Sequence, residues 1–285
     1  MKLITWNVQW CRGIDFVVDP ARIARTAREI ADFDVLCLHE VAVNFPGLPG
    51  SRGEDQVAEL ARALPGYSAH YGMATDVDDG DGGRSLFGNL VFSRFPVIQV
   101  YRHLLPWPPD PAARSMQRIA VEAVVRAPWG PVRVTTTHLE YYSAMQRMAQ
   151  VGALRILHQE ACRHAAAPRI QDDESEPFQA LPRPASGFVT GDFNFKPDGP
   201  EYRRITAPFD AGTAPALIDA WTLAHSGIPH APSAGLYEDS WASPPYCCDF
   251  IFVTADLAQR VRVVEVDSGT RASDHQPVLI ELSDR

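Results

Sequence analysis

Phe188-Val189-Thr190-Gly191-Asp192-Phe193-Asn194 is the stretch that decides how this chain reads. An apolar run stops at a carboxylate and, two residues later, at an amide. A strand that ends in such groups presents them at the edge of a sheet, where a ligand can reach them. The same arrangement recurs along the chain. Asn7 follows Leu3-Ile4-Thr5-Trp6, Glu40 follows Val35-Leu36-Cys37-Leu38, and His138 follows Val132-Arg133-Val134-Thr135. Toward the other end, Ser273-Asp274-His275 comes just before Pro277-Val278-Leu279-Ile280. Acids, amides and imidazoles gathered at strand ends point to one active site.

Between these motifs the pattern alternates. Pro20 to Ala31 reads as a helix, with Asp19 as cap, Pro20 in the first turn and Ile23, Ala27 and Ile30 on one face. Asp55 to Leu64 reads as a second helix, and Ser143 to His164 as the longest, with Ser143 as its cap. Leu86 to Ser93 and Val97 to Leu104 read as strands divided by Arg94-Phe95-Pro96. Ile119 to Arg126 and Val132 to His138 flank Ala127-Pro128-Trp129-Gly130 as a hairpin. The tail returns to strands at Phe250 to Val253, Val261 to Val266 and Val278 to Leu282. Residues 166 to 186, with the acidic run Gln171-Asp172-Asp173-Glu174-Ser175-Glu176, read as a surface loop rather than a linker, because motifs of one site lie on both sides. His225 to Tyr246 carries no periodicity. This order predicts a layered α/β sandwich of two mixed sheets packed face to face, with helices outside, and a single domain over 1–285.

The bulk numbers set limits. With 285 residues and 46% hydrophobic content, the chain can bury a large core, and 21% charged residues exclude a disordered polymer. A formal net charge of -9 argues against a broad basic surface for nucleic acid. The five cysteines (Cys11, Cys37, Cys162, Cys247 and Cys248) lack zinc-type spacing and read as reduced, buried thiols. No apolar run approaches the roughly 18 residues of a membrane helix. Neither a signal peptide nor an obligate protein partner is evident, and the expected location is the cytoplasm.

Six motifs carry a family resemblance: Thr5-Trp6-Asn7, His39-Glu40-Val41, Thr137-His138-Leu139, Gly191-Asp192-Phe193-Asn194, Asp249-Phe250-Ile251 and Ser273-Asp274-His275. Their types and order resemble the endonuclease/exonuclease/phosphatase (DNase I-like) superfamily. The resemblance implies a four-layer α/β sandwich and hydrolysis of phosphate esters with a divalent metal. One departure stands out: many relatives carry a basic residue just before the Asp249 motif, where this chain has Cys247-Cys248.

Phosphate esters resist hydrolysis because anionic oxygens repel the nucleophile, so catalysis needs charge neutralisation and a positioned water. Glu40 is the best candidate for a hard-cation ligand, which suits Mg²⁺, with Mn²⁺ as the alternative. Asp192 and Asn194, two apart, fall on one side of an extended chain, so one can hold or deprotonate water while the other donates to a phosphoryl oxygen. The resemblance implies that Asp192 holds the water and Asn194 contacts phosphate. It further implies that His275 pairs with Asp249 beside the scissile phosphate, and that Asp274 is a further metal-site carboxylate. His138 would contact a phosphate oxygen or assist the leaving group, and Asn7 would belong to the metal site with Glu40 and Asp274, positioning the metal-bound water or the phosphate. Arg118 is a candidate phosphate fork, and Asn89 reads as fixing a loop.

Substrate identity is less legible. The chain has two lysines, Lys2 and Lys196, while Arg84, Arg94, Arg102, Arg114 and Arg118 fall near candidate loops with Trp107. A nuclease substrate is the first expectation. A phospholipid head group, reached through Leu104 to Pro109 or Trp241 with Tyr246, and a soluble phosphomonoester such as an inositol phosphate are the alternatives. Tyr141-Tyr142 are expected to line the pocket. A catalytically inactive binding scaffold is the reading from another class, which the retention of Glu40, Asp192, Asn194, Asp249 and His275 argues against.

Overall fold

Valine-, isoleucine- and phenylalanine-rich runs of five to eleven residues become strands because branched and aromatic side chains pack well on a pleated surface. A computed structural model describes residues 1–168, 178–210, 212–237 and 244–284. One six-stranded sheet has the order β11 (Val261–Val266), β12 (Val278–Leu282), β1 (Lys2–Asn7), β2 (Val35–Val43), β4 (Arg84–Ser93), β3 (Ser68–Asp78). The other six-stranded sheet runs β5 (Val97–Leu104), β6 (Ile119–Ala127), β7 (Gly130–His138), β8 (Gly187–Asp192), β10 (Asp249–Thr254), β9 (Leu217–Asp219). β1 and β2 pair in parallel, as do β7 and β8, and the remaining pairs are antiparallel.

Parallel neighbours need a crossover, and each parallel pair has a helix for it. α1 (Pro20–Ile30) joins β1 to β2, and α3 (Ala144–Ala166) joins β7 to β8. Both are capped as the sequence predicts: Asp19 Oδ1 accepts from Arg22 N at 2.9 Å, and Ser143 Oγ accepts from Gln146 N at 3.2 Å. α2 (Gln56–Ala63) packs beside α1, while α4 (Pro200–Thr206) packs beside α3. α5 (Ala220–Ala224) follows β9 directly.

Three apolar layers result. Leu3, Val35, Val91, Val121, Val134, Phe188, Ile251 and Ile280 fill the space between the sheets. Ile4, Trp6, Ile23, Leu36, Leu60 and Phe92 join the first sheet to its helices, and Leu154, Val189, Phe193, Ile205, Phe250 and Phe252 join the second to α3 and α4. The expected four-layer sandwich is the observed one.

The differences are local. Arg94-Phe95-Pro96 separates strands of two different sheets, not neighbours in one. β3 carries no apolar periodicity because it is an edge strand with mostly exposed residues. Asn89 fixes no loop. It lies inside β4, and its buried amide donates to the Ile119 carbonyl of the facing sheet at 3.0 Å. The short elements α4, β9 and α5 are too brief to show a period. The acidic run 171–176 and Trp241 lie outside the described residues.

The buried His158 of α3 ties that helix to the sheet. Its Nδ1 accepts from Arg133 Nη2 at 2.8 Å, and Nε2–H donates to the Pro215 carbonyl at 2.9 Å. That pattern requires a neutral ring. Burial, aided by Arg133 and against the Pro215 carbonyl, pushes its pKa down from 6.5 to about 4. The unfolded state therefore binds the extra proton first as pH falls. Its contribution to stability should be complete above pH 6.5 and decline as pH drops to about 4, by up to about 3 kcal/mol. Urea unfolding of wild type and His158→Gln across this window should show a shallower pH slope in the variant.

Candidate active site

Strand register assembles the site. In the second sheet His138 on β7 stands opposite Asp192 on β8, and Asp192 stands opposite Asp249 on β10. One row across three strands thus carries an imidazole and two carboxylates. Gly191 permits this closeness: with φ of +148°, an added Cβ there would run into the Thr137 carbonyl. In the first sheet Asn7 stands opposite His39, and the β2–β4 register shifts between Leu38 and Val41. Within that bulge Glu40 has a left-handed φ of 59°, which re-aims its side chain. His275 sits just ahead of β12 and is held by two bonds: Trp6 Nε1 donates to its carbonyl at 3.0 Å, and Ser273 Oγ donates to the Asn7 carbonyl at 2.8 Å.

The side chains converge. Asn7 Nδ2 donates to Glu40 Oε1 and to Asp192 Oδ2, each at 3.0 Å, while Asn7 Oδ1 accepts from Gln9 N at 3.0 Å. So oriented, Asn7 turns its nitrogen toward the carboxylates and bridges them. Asp192 Oδ2 also lies 3.4 Å from His138 Nε2 and 3.7 Å from His275 Nε2. His275 Nδ1 meets Asp249 Oδ2 at 2.9 Å. Asn194 Nδ2 lies 3.0 Å from His138 Nε2 and donates to the Leu139 carbonyl at 2.9 Å. Because that amide donates, His138 Nε2 accepts and its proton sits on Nδ1, 3.8 Å from Glu40 Oε1.

Asn194 does not continue an extended chain. Its φ is 53°, and its backbone N–H donates to Asp192 Oδ1 at 3.0 Å, so the pair forms a tight turn. Phe193 between them is buried against Phe250 and Phe252, with ring centroids 5.9 and 5.2 Å away. This aromatic anchor holds the two polar neighbours up to the cleft.

Charge is distributed unevenly. Burial, joined by Asp249, pushes the Asp192 carboxyl up, against the opposing pull of His275. Burial works against an imidazolium at His275, but Asp249 and Asp192 outweigh it and raise its pKa well above the usual value. His138 is driven the other way, by burial and then by Arg118, and stays neutral. Burial and the facing Asp274 raise Glu40.

Glu40, Arg118, His138, Asp192, Asn194, Asp274 and His275 line one cleft of about 640 Å³. Asp249 lies beneath, behind His275. Arg118 is buried and its Nε donates to Glu140 Oε2 at 3.2 Å. Tyr141 and Tyr142 line the mouth as expected, joined by Trp10, Leu48, Phe87, Arg114 and Met116. Leu104 to Pro109 does not line it, and Arg84 and Arg94 are engaged with Asp76 and Asp32 elsewhere. Sequence reading missed Ser233. Its Oγ donates to Asp249 Oδ2 at 2.7 Å and accepts the backbone N–H groups of Cys248 and Asp249, each at 3.1 Å. It also missed Gln9, whose Nε2 donates to Asp274 Oδ2 at 2.6 Å.

The Glu40 side fits a hard cation. Its donors are carboxylate oxygens, and the mutual repulsion of Glu40 and Asp274 is what a cation between them would relieve. At the floor, Asp192, Cys248, Asp249 and His275 form a second, mixed oxygen, sulfur and nitrogen group.

Comparisons with known proteins agree with this fold. An endonuclease/exonuclease/phosphatase family from Beutenbergia cavernae DSM 12333 has a solved structure that superposes with TM-score 0.67 at 24% identity, over 99% of this chain and 72% of that one. A mannosyl-6-phosphatase from Bacteroides thetaiotaomicron VPI-5482 gives 0.67 at 18% identity, over 99% of each chain. A humanized Danio rerio TDP2 gives 0.61 at 16% identity, over 99% of this chain and 98% of that one. At these identities the likeness speaks for the fold. No curated protein matches by sequence. The model of the Endonuclease/Exonuclease/phosphatase family matches residues 4–275, and the chain belongs to that family.

Proposed function

We propose that this protein is a divalent-metal-dependent phosphodiesterase that hydrolyses its substrate by direct attack of an activated water, without a covalent intermediate, as one domain over 1–285. The observation that carries this reading is the Asp192 carboxylate, held by Asn7 and set between His138 and His275 on the floor of the cleft. A cation held by Glu40 and Asp274, with Asn7 orienting Glu40, would neutralise charge on the phosphoryl oxygens; Mg²⁺ suits these donors best, and Mn²⁺ next.

Asp192 orients the attacking water and takes its proton, a role that a burial-raised carboxyl suits. The His275 imidazolium, fixed by Asp249 through Nδ1, offers Nε2–H to a phosphoryl oxygen. The Asn194 amide, committed to His138 Nε2 and the Leu139 carbonyl, fixes the tautomer of neutral His138, whose Nδ1–H assists the departing oxygen. Arg118, braced by Glu140, reaches phosphate from the other wall.

The substrate we favour is single-stranded or nucleotide-like rather than duplex. Trp10, Phe87, Tyr141 and Tyr142 offer stacking faces around the cleft, while Arg114 and Arg118 are the arginines lining it among the described residues. Phospholipid head groups and soluble phosphomonoesters remain the competing substrates. The fold shared with a mannosyl-6-phosphatase and a TDP2 is compatible with either ester class. Free, buried cysteines suit a reducing cytoplasm, and no described helix is long and apolar enough to cross a membrane.

Asp192→Asn and His275→Ala should each lower kcat by roughly 10²–10⁴-fold while circular dichroism stays native. Unchanged turnover in either would end the assignment. Chelation with EDTA should abolish activity and Mg²⁺ restore it, with Glu40→Gln raising the metal concentration needed by roughly 10–100-fold. Side-by-side rates on plasmid DNA, single-stranded RNA, sphingomyelin, inositol phosphates and an aryl phosphodiester should rank the single-stranded or aryl substrates first. Ser233→Ala leaves Asp249 Oδ2 short of a donor and should cost about 1.5–3 kcal/mol in urea unfolding.

A further inference from the structure

Cys248 has no part in the hydrolysis proposed above, yet its thiol lies under the catalytic dyad. Its Sγ is 3.5 Å from Asp249 Oδ2 and 3.9 Å from His275 Nδ1. One donor atom each from Asp192, Cys248, Asp249 and His275 lies within 4.8 Å of all the others, and all four residues are buried. A separate feature points the same way. Asp249 Oδ2 is engaged by Ser233 and His275, but Oδ1 of the same carboxylate is buried with no hydrogen-bond partner. A buried acceptor left unmatched calls for a ligand, since such oxygens are otherwise paired.

We propose that Asp192, Cys248, Asp249 and His275 form a second cation site that takes a thiophilic divalent ion, Zn²⁺ foremost, and that filling it arrests hydrolysis. The donor chemistry separates it from the Glu40 side. Zinc accepts thiolate, imidazole and carboxylate together in a tetrahedron with bonds of about 2.0–2.3 Å, which sets donors roughly 3.3–3.8 Å apart. The spacings among Cys248 Sγ, Asp249 Oδ2 and His275 Nδ1 run from 2.9 to 3.9 Å, so small shifts close three corners. Asp192, whose Oδ2 faces His275 Nε2 at 3.7 Å, must swing past the ring edge to supply the fourth. Magnesium demands six oxygens and has no use for sulfur. Binding breaks the Cys248 S–H bond and the Nδ1–H bond of the His275 imidazolium, forms S–Zn and N–Zn bonds and releases both protons to solvent, with no redox change. Arrest follows because the ion takes His275 Nδ1 and Asp249 Oδ2, which breaks the pairing that fixes the imidazolium, and draws Asp192 away from the attacking water. The arrest rests on the phosphodiesterase reading; the binding does not.

Co²⁺ titration of the full chain, read by absorption, tests the binding without any assay of turnover. Wild type should show the intense visible bands of tetrahedral Co²⁺ and a near-ultraviolet thiolate charge-transfer band, both erased by Zn²⁺ and persisting in excess Mg²⁺. Cys248→Ala and Cys248→Ser should lose the charge-transfer band and bind Zn²⁺ at least about 10²-fold more weakly in calorimetry. Cys247→Ala should keep both signals. Where Mg²⁺-supported turnover is measurable, the Cys248 variants should retain it and resist Zn²⁺. A wild-type spectrum without the sulfur band, or equal Zn²⁺ affinity in wild type and Cys248→Ala, would overturn the proposal.

Discussion

The Asn7 amide is the constraint on which the site depends. Glu40 belongs to one sheet and Asp192 to the other, and a single nitrogen donates to both. Packed sheets stand about 10 Å apart, so polar groups of facing sheets meet only where a side chain leans across. Two carboxylates brought together in a buried space would repel each other unless donors stand between them. Asn7 supplies that donor, and Gln9 N fixes the orientation of its amide from behind. Trp6 and Ser273 then bind the segment ahead of β12 to β1, so His275 is placed by the strand that carries Asn7. Shifting β1 against β8 would alter every distance in the cleft at once.

That dependence explains why so much of the site was legible in the chain. Strands announce themselves through apolar runs, and a polar residue that halts such a run must lie at a sheet end. Asn7, His138 and Asp192 obey this logic as the last residues of β1, β7 and β8, and His275 stands just ahead of β12. Glu40 instead reaches the site from a bulge inside β2, which runs on to Val43. The two helix crossovers place four of the five on parallel strand pairs. What stayed hidden has no period to reveal it. Ser233 comes from an irregular stretch whose strand-like pairing is confined to isolated bridges from Ala234 to Tyr246 and His275, so nothing in its sequence neighbours marks it. Trp10 and Asn194 owe their positions to left-handed backbone, which alternation cannot forecast. Asn89 was misread because a buried amide inside a strand looks, in sequence, like a turn. Its partner is a carbonyl of the other sheet, 30 residues away in the chain.

The floor of the site carries sulfur beside its catalytic pair. Asp249 has His275 as its imidazole partner, and the two positions before it are Cys247 and Cys248. Cys247 is buried among Leu217, Phe193 and Phe250, where an ammonium or guanidinium would have to be desolvated. Cys248 packs with Ala234 and Tyr246 and meets the dyad with its thiol. With thiols at these two positions, compensation of the carboxylates falls on His275 and on what binds beside Glu40.

The charge balance bears on substrate choice. Glu40, Asp192, Asp249 and Asp274 gather around one imidazolium, so the floor of the cleft is negative before anything binds. A phosphodiester is itself an anion, and the chain as a whole carries a charge of -9. Long-range attraction therefore cannot draw in a polyanion over many phosphates, as it does for proteins that track duplex DNA. Recognition has to be local: one phosphate at the cation and Arg118, with the remainder of the substrate held by contact at the aromatic mouth. Arg114 lies over Tyr142 at 5.3 Å, and Arg12 over Trp10 at 5.0 Å, so even the cations at the rim are stacked on rings. A cleft built in this way favours a substrate with one exposed ester and a planar or apolar neighbour, and short-range stacking then decides which esters reach Asp192.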